Sequence, residues 1–217
     1  MATDSSAPAA PLGLREAKKQ ETRQLISDHA TRLFIEQGFE RTTIAEIAEV
    51  ARVAKKTVTN YFARKEDLAL DHQDAFVASL AAIVTGREPG ESALDALRGD
   101  FVAAAATASP VAGFAGPAFS RMIADSPTLT ARLRDLHDLR EAALAEALAE
   151  ATGAGEGDFT PRAAAALFGA VHRTLFQRIQ ELTLAGEDNS RIAEVVTAEA
   201  AVAFDLLEPS LGDYATA

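Results

Sequence analysis

Within six consecutive positions the chain places five side chains that can donate hydrogen bonds, and none that is acidic. They are Lys55, Lys56, Thr57, Thr59 and Asn60. Ammonium, hydroxyl and amide groups of this kind bind phosphate oxygens and the edges of bases in nucleic acids. The cluster therefore indicates recognition of a polyanion rather than catalysis.

A short amphipathic helix is predicted for the segment that carries these side chains. Val58, Tyr61 and Phe62 stand at i, i+3 and i+4, which gives a helix over 54–62 one apolar side. The polar cluster then lies on the opposite side, a form that suits the major groove of DNA. An ordinary helical hairpin with a solvated basic face is the alternative.

A second helix is predicted immediately before it. Thr43 is a favourable N-cap residue, and Glu46 three places later completes a capping box, so this helix begins at Ile44. Ile47 lies on its apolar side, and Val53 in the following bend can fill the corner between the two helices. The pattern predicts a helix-turn-helix.

The composition indicates an all-α protein. The 217 residues are 48% hydrophobic, enough for a sizeable core, and strand-forming runs are few. Cysteine is absent, and neither a signal peptide nor an apolar run of about 20 residues is evident. We expect a soluble cytoplasmic protein with no cofactor, no bound metal and no membrane association.

The charge is distributed unevenly along the chain. The net charge is −11, but residues 1–65 contain eleven Lys and Arg against eight Asp and Glu, and all five lysines. Residues 66–217 contain ten Arg against twenty-four Asp and Glu. This asymmetry predicts a small module that faces nucleic acid, joined to an acidic body.

A family resemblance covers about residues 22–68. Its motif residues are Gly38-Phe39, Thr42-Thr43-Ile44, Ile47-Ala48, Ala51, Val53, Thr57, Tyr61-Phe62, Lys65 and Leu68. In these residues and their spacing the chain resembles the TetR-type transcriptional regulators. The resemblance implies a positioning helix over 44–50, a recognition helix over 54–62, a small-molecule site in the C-terminal body, and a homodimer.

The resemblance also implies roles for individual residues. Thr43, Tyr61 and Lys65 would contact phosphate. The resemblance also implies that three side chains reach base edges: Lys55, Lys56 and Thr59. With the neighbouring polar groups, the candidate DNA-binding residues are Thr43, Arg52, Lys55, Lys56, Thr57, Thr59, Asn60, Tyr61 and Lys65.

Two positions depart from the family pattern. Arg52 stands where such proteins often have glycine in the turn, and Ala54 where they often have serine as the N-cap. A missing cap costs about 1 kcal/mol. Either the recognition helix begins less firmly, or Arg52 adds a phosphate contact; the sequence does not choose between these.

Three segments are predicted. Residues 1–14 form a disordered tail, 15–65 a helix-turn-helix DNA-binding domain, and 66–217 a helical effector-binding and dimerisation domain. About nine helices are expected in all, including one long helix over 66–84. Three basic residues at the start of the first helix either approach the DNA backbone or minor groove or form a solubilising basic tail: Arg15, Lys18 and Lys19.

Aromatic residues of the C-terminal body are candidates for an effector pocket. An access path is expected at the Pro- and Gly-broken segment 110–117, although most of these aromatic residues are expected simply to be part of the core. The candidates are Phe76, Phe101, Phe114, Phe119, Met122, His137, Phe168, His172 and Phe176.

The last two predicted helices have alanine-rich faces. Ala163–Ala166, Ala170, Ala200 and Ala203 would permit close helix packing across a two-fold axis, or packing within one chain. A dimer would place two recognition helices about 34–36 Å apart, which demands a palindromic operator of double-stranded DNA.

Catalytic patterns are weak. His137 and Glu141 lie one helical turn apart, a poor metal-ligand signal, and no phosphate loop or nucleophile motif occurs. We predict a ligand-responsive homodimeric repressor released by an apolar or amphipathic effector. The alternative is an all-helical enzyme or small-molecule-sequestering protein without a sequence-specific DNA role. An activator or an effector-free global regulator fits the sequence almost as well as a repressor.

Overall fold

The computed structural model describes residues 13–217, and the side chains from Arg15 onward. In this range the chain is all-α, with eleven α-helices, one short 3-10 turn and no strand. The predicted fold class is confirmed. A disordered tail is predicted over 1–14, and residues 1–12 of it lie outside the described residues. The first helix begins at Leu14.

Two compact units divide between Ala69 and Leu70. The N-terminal unit contains α1 (Leu14–Gln37), α2 (Ile44–Val50), α3 (Lys55–Tyr61) and the short α4 (Glu66–Ala69). Its core consists of large apolar side chains that are at most 4% exposed: Ile26, Phe34, Phe39, Ile47, Val58, Phe62 and Leu68.

Gly38 ends α1 with a positive φ of 91°, a backbone conformation that favours glycine. This reversal folds Phe39 back onto the helix, where its ring centroid lies 4.9 Å from that of Phe34. The contact closes the corner that leads into α2.

The C-terminal unit is a bundle of helices around a continuous apolar core. Phe168 and Phe204 are fully buried in that core. Its elements are α5 (Gln73–Thr85), α6 (Ala93–Ala106), the 3-10 turn Pro110–Ala112, α7 (Pro117–Ala124), α8 (Pro127–Thr152), α9 (Thr160–Ala185), α10 (Asn189–Asp205) and α11 (Glu208–Leu211).

The single helix predicted over 66–84 is wrong. The chain forms α4 and α5, separated by a turn in which the Gln73 N–H bonds the Leu70 carbonyl, three residues back, and His72 has non-helical dihedral angles. Asp71 and His72 are poor helix formers. Leu68 and Phe76 keep helical spacing across the break, so periodicity alone does not detect it. This split and the added α11 raise the helix count above nine.

Candidate nucleic-acid interface and ligand cavity

The first half of the helix-turn-helix is held by a complete capping box. Thr43 Oγ1 accepts a hydrogen bond from the Glu46 N–H at 3.3 Å, and Glu46 Oε2 accepts from the Thr43 N–H at 2.7 Å. Hydrogen bonds from Thr43 hold the pKa of Glu46 below its usual value. The carboxylate is therefore charged at neutral pH and keeps α2 beginning at Ile44.

The turn between α2 and α3 is a Schellman motif. The Val53 N–H bonds the Ala48 carbonyl at 2.9 Å, and the Arg52 N–H bonds the Glu49 carbonyl at 3.1 Å. Arg52 adopts the left-handed conformation, with φ at 54°. Glycine usually occupies this position because a Cβ atom is strained there.

Helix α3 lacks a side-chain cap but is anchored at its other end. Ala54 makes no capping hydrogen bond, as expected for alanine. The Arg23 guanidinium lies 4.3 Å from the centre of the Phe62 ring and donates to the Tyr61 carbonyl at 2.9 Å. Val58 and Phe62 are buried. One side of the helix is thereby fixed to the core of its own unit.

The opposite side of α3 faces away from that core. Lys55, Lys56, Thr59 and Asn60 are exposed, and neither lysine forms an ion pair within residues 13–217. Thr43 and Arg52 are also exposed, whereas Thr57, Tyr61 and Lys65 are half-buried. Of the predicted binding residues, Arg52, Lys55, Lys56, Thr59 and Asn60 are thus the exposed ones on α3 and the turn before it.

Lys65 has partners inside the N-terminal unit. Its Nζ lies 4.3 Å from the centre of the Phe39 ring and donates to the Glu40 carbonyl at 3.4 Å. Burial lowers the pKa of Lys65, opposed by nearby carboxylates, first among them Glu40. The lysine is therefore positioned by aromatic and backbone contacts rather than extended into solvent.

The C-terminal unit contains a cavity of about 390 Å³. Its walls come from α5, α6, α8, α9 and the segment 107–112. The broken segment expected to open a path into the body is thus partly a wall of the cavity. Of the nine predicted effector residues, Phe101 and His172 line it.

The other seven candidates lie elsewhere in the unit. Phe76, His137 and Phe176 form an aromatic cluster, with centroids 5.1 to 5.9 Å apart. Phe114 and Phe168 are buried in the main hydrophobic core, where they pack between helices. On α7, Met122 is buried and Phe119 is half-buried.

Arg140 is a cavity residue that sequence reasoning did not identify. It is only 6% exposed, its Nε donates to Ser79 Oγ at 2.8 Å, and its guanidinium carbon lies 4.6 Å from the Phe76 ring centre. Burial lowers the pKa of Arg140 to about 10, opposed by Asp100, so the group remains charged at neutral pH. The sequence did contain a signal that Arg140 is buried. It lies midway between Leu136 and Leu144, at steps of four residues along the buried side of α8.

Two histidines near the cavity are neutral at physiological pH. Burial, then Arg140, lowers the pKa of His172 to about 3 and that of His137 to about 4. His172 Nε2 is buried and has no hydrogen-bond partner in the described part of the chain. Neither ring carries positive charge in the cavity region.

Residues 13–217 contain no cluster of metal ligands and no single helix that could span a membrane. No three His, Asp or Glu side chains in this range group together in a way that could hold a metal ion. No single described helix is long and apolar enough to cross a membrane; Ala93–Ala106 and Pro110–Ala124 pass only as a pair bent by 115°.

Comparisons with known proteins agree with this architecture. The profile described as "Bacterial regulatory proteins, tetR family" matches residues 26–71. The HTH-type transcriptional regulator TcmR of Streptomyces glaucescens is 34% identical over 176 residues, which are 78% of this chain and 77% of TcmR.

Solved structures share the fold at lower identity. NalD of Pseudomonas aeruginosa, the secondary repressor of the MexAB-OprM multidrug efflux pump, is 19% identical with a TM-score of 0.55, over 85% of this chain and 97% of NalD. SmeT in complex with triclosan is 18% identical with a TM-score of 0.55, over 88% of this chain and 91% of SmeT. GusR of Salmonella enterica is 22% identical with a TM-score of 0.52, over 88% of this chain and 96% of GusR.

Regulators of this kind bind DNA and small-molecule effectors and typically dimerise. The relatives are regulators rather than enzymes, so the enzyme alternative is set aside. The chain belongs to the TetR family of bacterial regulatory proteins and is a ligand-responsive, DNA-binding transcriptional regulator.

Proposed function

We propose that this protein is a repressor that binds a palindromic operator as a homodimer and leaves it when an apolar or amphipathic molecule binds the C-terminal cavity. The observation that carries the proposal is the outer face of α3. Lys55 and Lys56 are exposed there and form no ion pair with the described residues of the chain, while Val58 and Phe62 fix the inner face.

The DNA contacts follow from that geometry. Lys55, Lys56 and Thr59 would reach base edges in the major groove, because they stand on the exposed side of a helix that is anchored behind. Phosphate contacts are assigned to the surrounding residues: Thr43, Arg52, Tyr61 and Lys65. Thr57 and Asn60 would support either kind of contact.

The homodimer is proposed to form through α9 and α10. Leu167 on α9 is 46% exposed and Val202 on α10 is 65% exposed, so both present apolar surface that burial in a dimer would remove from water. Ala166 and Ala170 are exposed beside Leu167 and permit close helix packing.

Part of the alanine-rich face predicted to form the dimer is instead buried within a single chain. Ala164, Ala165 and Ala200 are buried inside the protomer, where α9 and α10 pack into the main core. The proposed dimer face therefore consists of the exposed residues of both helices, not of the whole alanine pattern.

The effector response is proposed to reside in the cavity. Its volume of about 390 Å³ falls within the usual range of ligand pockets, roughly 300–1,000 Å³. SmeT has been solved with triclosan and NalD is a repressor, which supports a small-molecule-released repressor. An effector can shift DNA affinity only through its preference for one state, about 1–3 kcal/mol in typical cases.

Selection of DNA sites from a random pool tests the proposal. Wild-type protein should enrich one palindrome, and the double variant Lys55→Ala/Thr59→Ala should not. Arg134→Ala removes an exposed charge from α8 in the other unit and serves as the matched control. Addition of cell extract should release the selected site. Enrichment of the same palindrome by the double variant would refute the assignment of α3.

A further inference from the structure

The cavity contains a permanent charge within mainly apolar walls. Two lining residues have ionisable side chains of opposite sign, the Arg140 guanidinium and the Asp100 carboxyl. Arg140 is 6% exposed, whereas Asp100 is exposed, so the cation lies deeper and the carboxylate nearer the mouth, although partial burial still raises the pKa of Asp100. His172 contributes a neutral ring to the wall.

The guanidinium of Arg140 is held in place but incompletely paired. Ser79 Oγ donates to the Phe76 carbonyl at 2.8 Å and therefore presents a lone pair to Arg140 Nε. The Phe76 ring stacks against the same group. The bond from Nε to Ser79 is the only hydrogen bond of Arg140 within residues 13–217. No carboxylate in that range comes within ion-pair distance of its guanidinium.

An arginine has five N–H donors in a planar fork that fits a carboxylate. A buried charge without a counterion is costly, and an anion that supplies hydrogen bonds would relieve that cost. Asp100 influences Arg140 electrostatically but does not form an ion pair with it. The inner side of the cavity is therefore complementary to an anion, while the remainder suits an apolar skeleton.

We infer that the effector is an apolar small molecule with one acidic group, a carboxylate or an ionised phenol, and that this group binds Arg140 while Asp100 selects against additional negative charge at the mouth. This inference rests on the proposed function, because it specifies the ligand of the proposed effector cavity. A ligand with an amine would instead be drawn to Asp100.

Two fluorescent probes of nearly the same skeleton test it. Anilinonaphthalene sulfonate carries a permanent anion, and N-phenylnaphthylamine lacks it. Arg140→Met should weaken sulfonate binding about tenfold or more, since a charged hydrogen bond is lost, and should change binding of the neutral probe less than about twofold. Asp100→Asn, at an exposed position, should strengthen sulfonate binding about twofold or more.

The outcomes separate this inference from the proposed function. Ala104→Phe fills the cavity and should abolish both probes, which places them there. If Arg140→Met weakens both probes equally, or Asp100→Asn weakens the sulfonate, the acidic-ligand inference is overturned and the cavity stands. If neither probe binds wild-type protein, or Ala104→Phe changes neither, the effector cavity itself is refuted.

Discussion

Arg52 offers a sharp test of how the helix-turn-helix is built. It occupies the left-handed position of the Schellman turn, with φ at 54°. We expect Arg52→Gly to be more stable than Arg52→Ala, because glycine adopts this conformation without strain. Both variants lose the same charge, so their difference reports the backbone alone.

The expected magnitude follows from two opposing effects. A left-handed residue with a Cβ atom costs about 1–2 kcal/mol. Glycine also increases the conformational entropy of the unfolded chain, which lowers the stability of the glycine variant by about 0.4–1 kcal/mol. The free energy of unfolding of the Arg52→Gly variant should therefore be higher than that of the Arg52→Ala variant by roughly 0.5–1 kcal/mol.

Urea unfolding followed by circular dichroism measures that difference. The same two variants, bound to the selected operator over a salt series, report the other role considered for Arg52. If it contacts phosphate, both variants should lower the slope of log affinity against log salt by about 1. An alanine variant as stable as the glycine variant would refute the strain argument, and unchanged slopes would exclude the phosphate contact.

Three further results are expected. Thr43→Ala should cost about 1 kcal/mol of unfolding free energy through the lost cap, whereas Thr43→Ser should retain most of it; equal losses would contradict the capping role. His172 has a pKa near 3 when folded against an ordinary 6.5, so its stabilising effect is present above about pH 6.5 and is lost as the pH falls toward the folded value. His172→Leu should therefore flatten the decline of the melting temperature in acid, and an unchanged decline would contradict this. Leu167→Glu should give monomers in sedimentation, while Leu139→Glu, equally exposed on α8, should not; dimers in both would exclude α9.

The helix-turn-helix could be predicted from sequence because its signals are local. The Thr43–Glu46 capping box fixes the start of α2, and Val58 with Phe62 defines the inner face of α3 by helical spacing. Both helices begin and end within a residue of the predicted bounds. Their polar outer face follows directly from the same periodicity.

The cavity could not be predicted in the same way because it depends on how five segments pack. Aromatic residue type does not distinguish Phe101, which lines the cavity, from Phe168, which fills the core. Arg140 looked like one of many helical arginines, although its position on a buried leucine stripe was informative. The break between α4 and α5 was hidden because apolar spacing continues across it.

The affinity ratio between the selected operator and a shuffled duplex tests the central assignment most directly. Fluorescence anisotropy at fixed salt should show that Lys55→Ala/Thr59→Ala loses most of the wild-type preference, about 1–3 kcal/mol for each base contact, while Arg134→Ala keeps it. A double variant that folds normally and retains the full ratio would show that α3 does not read the sequence.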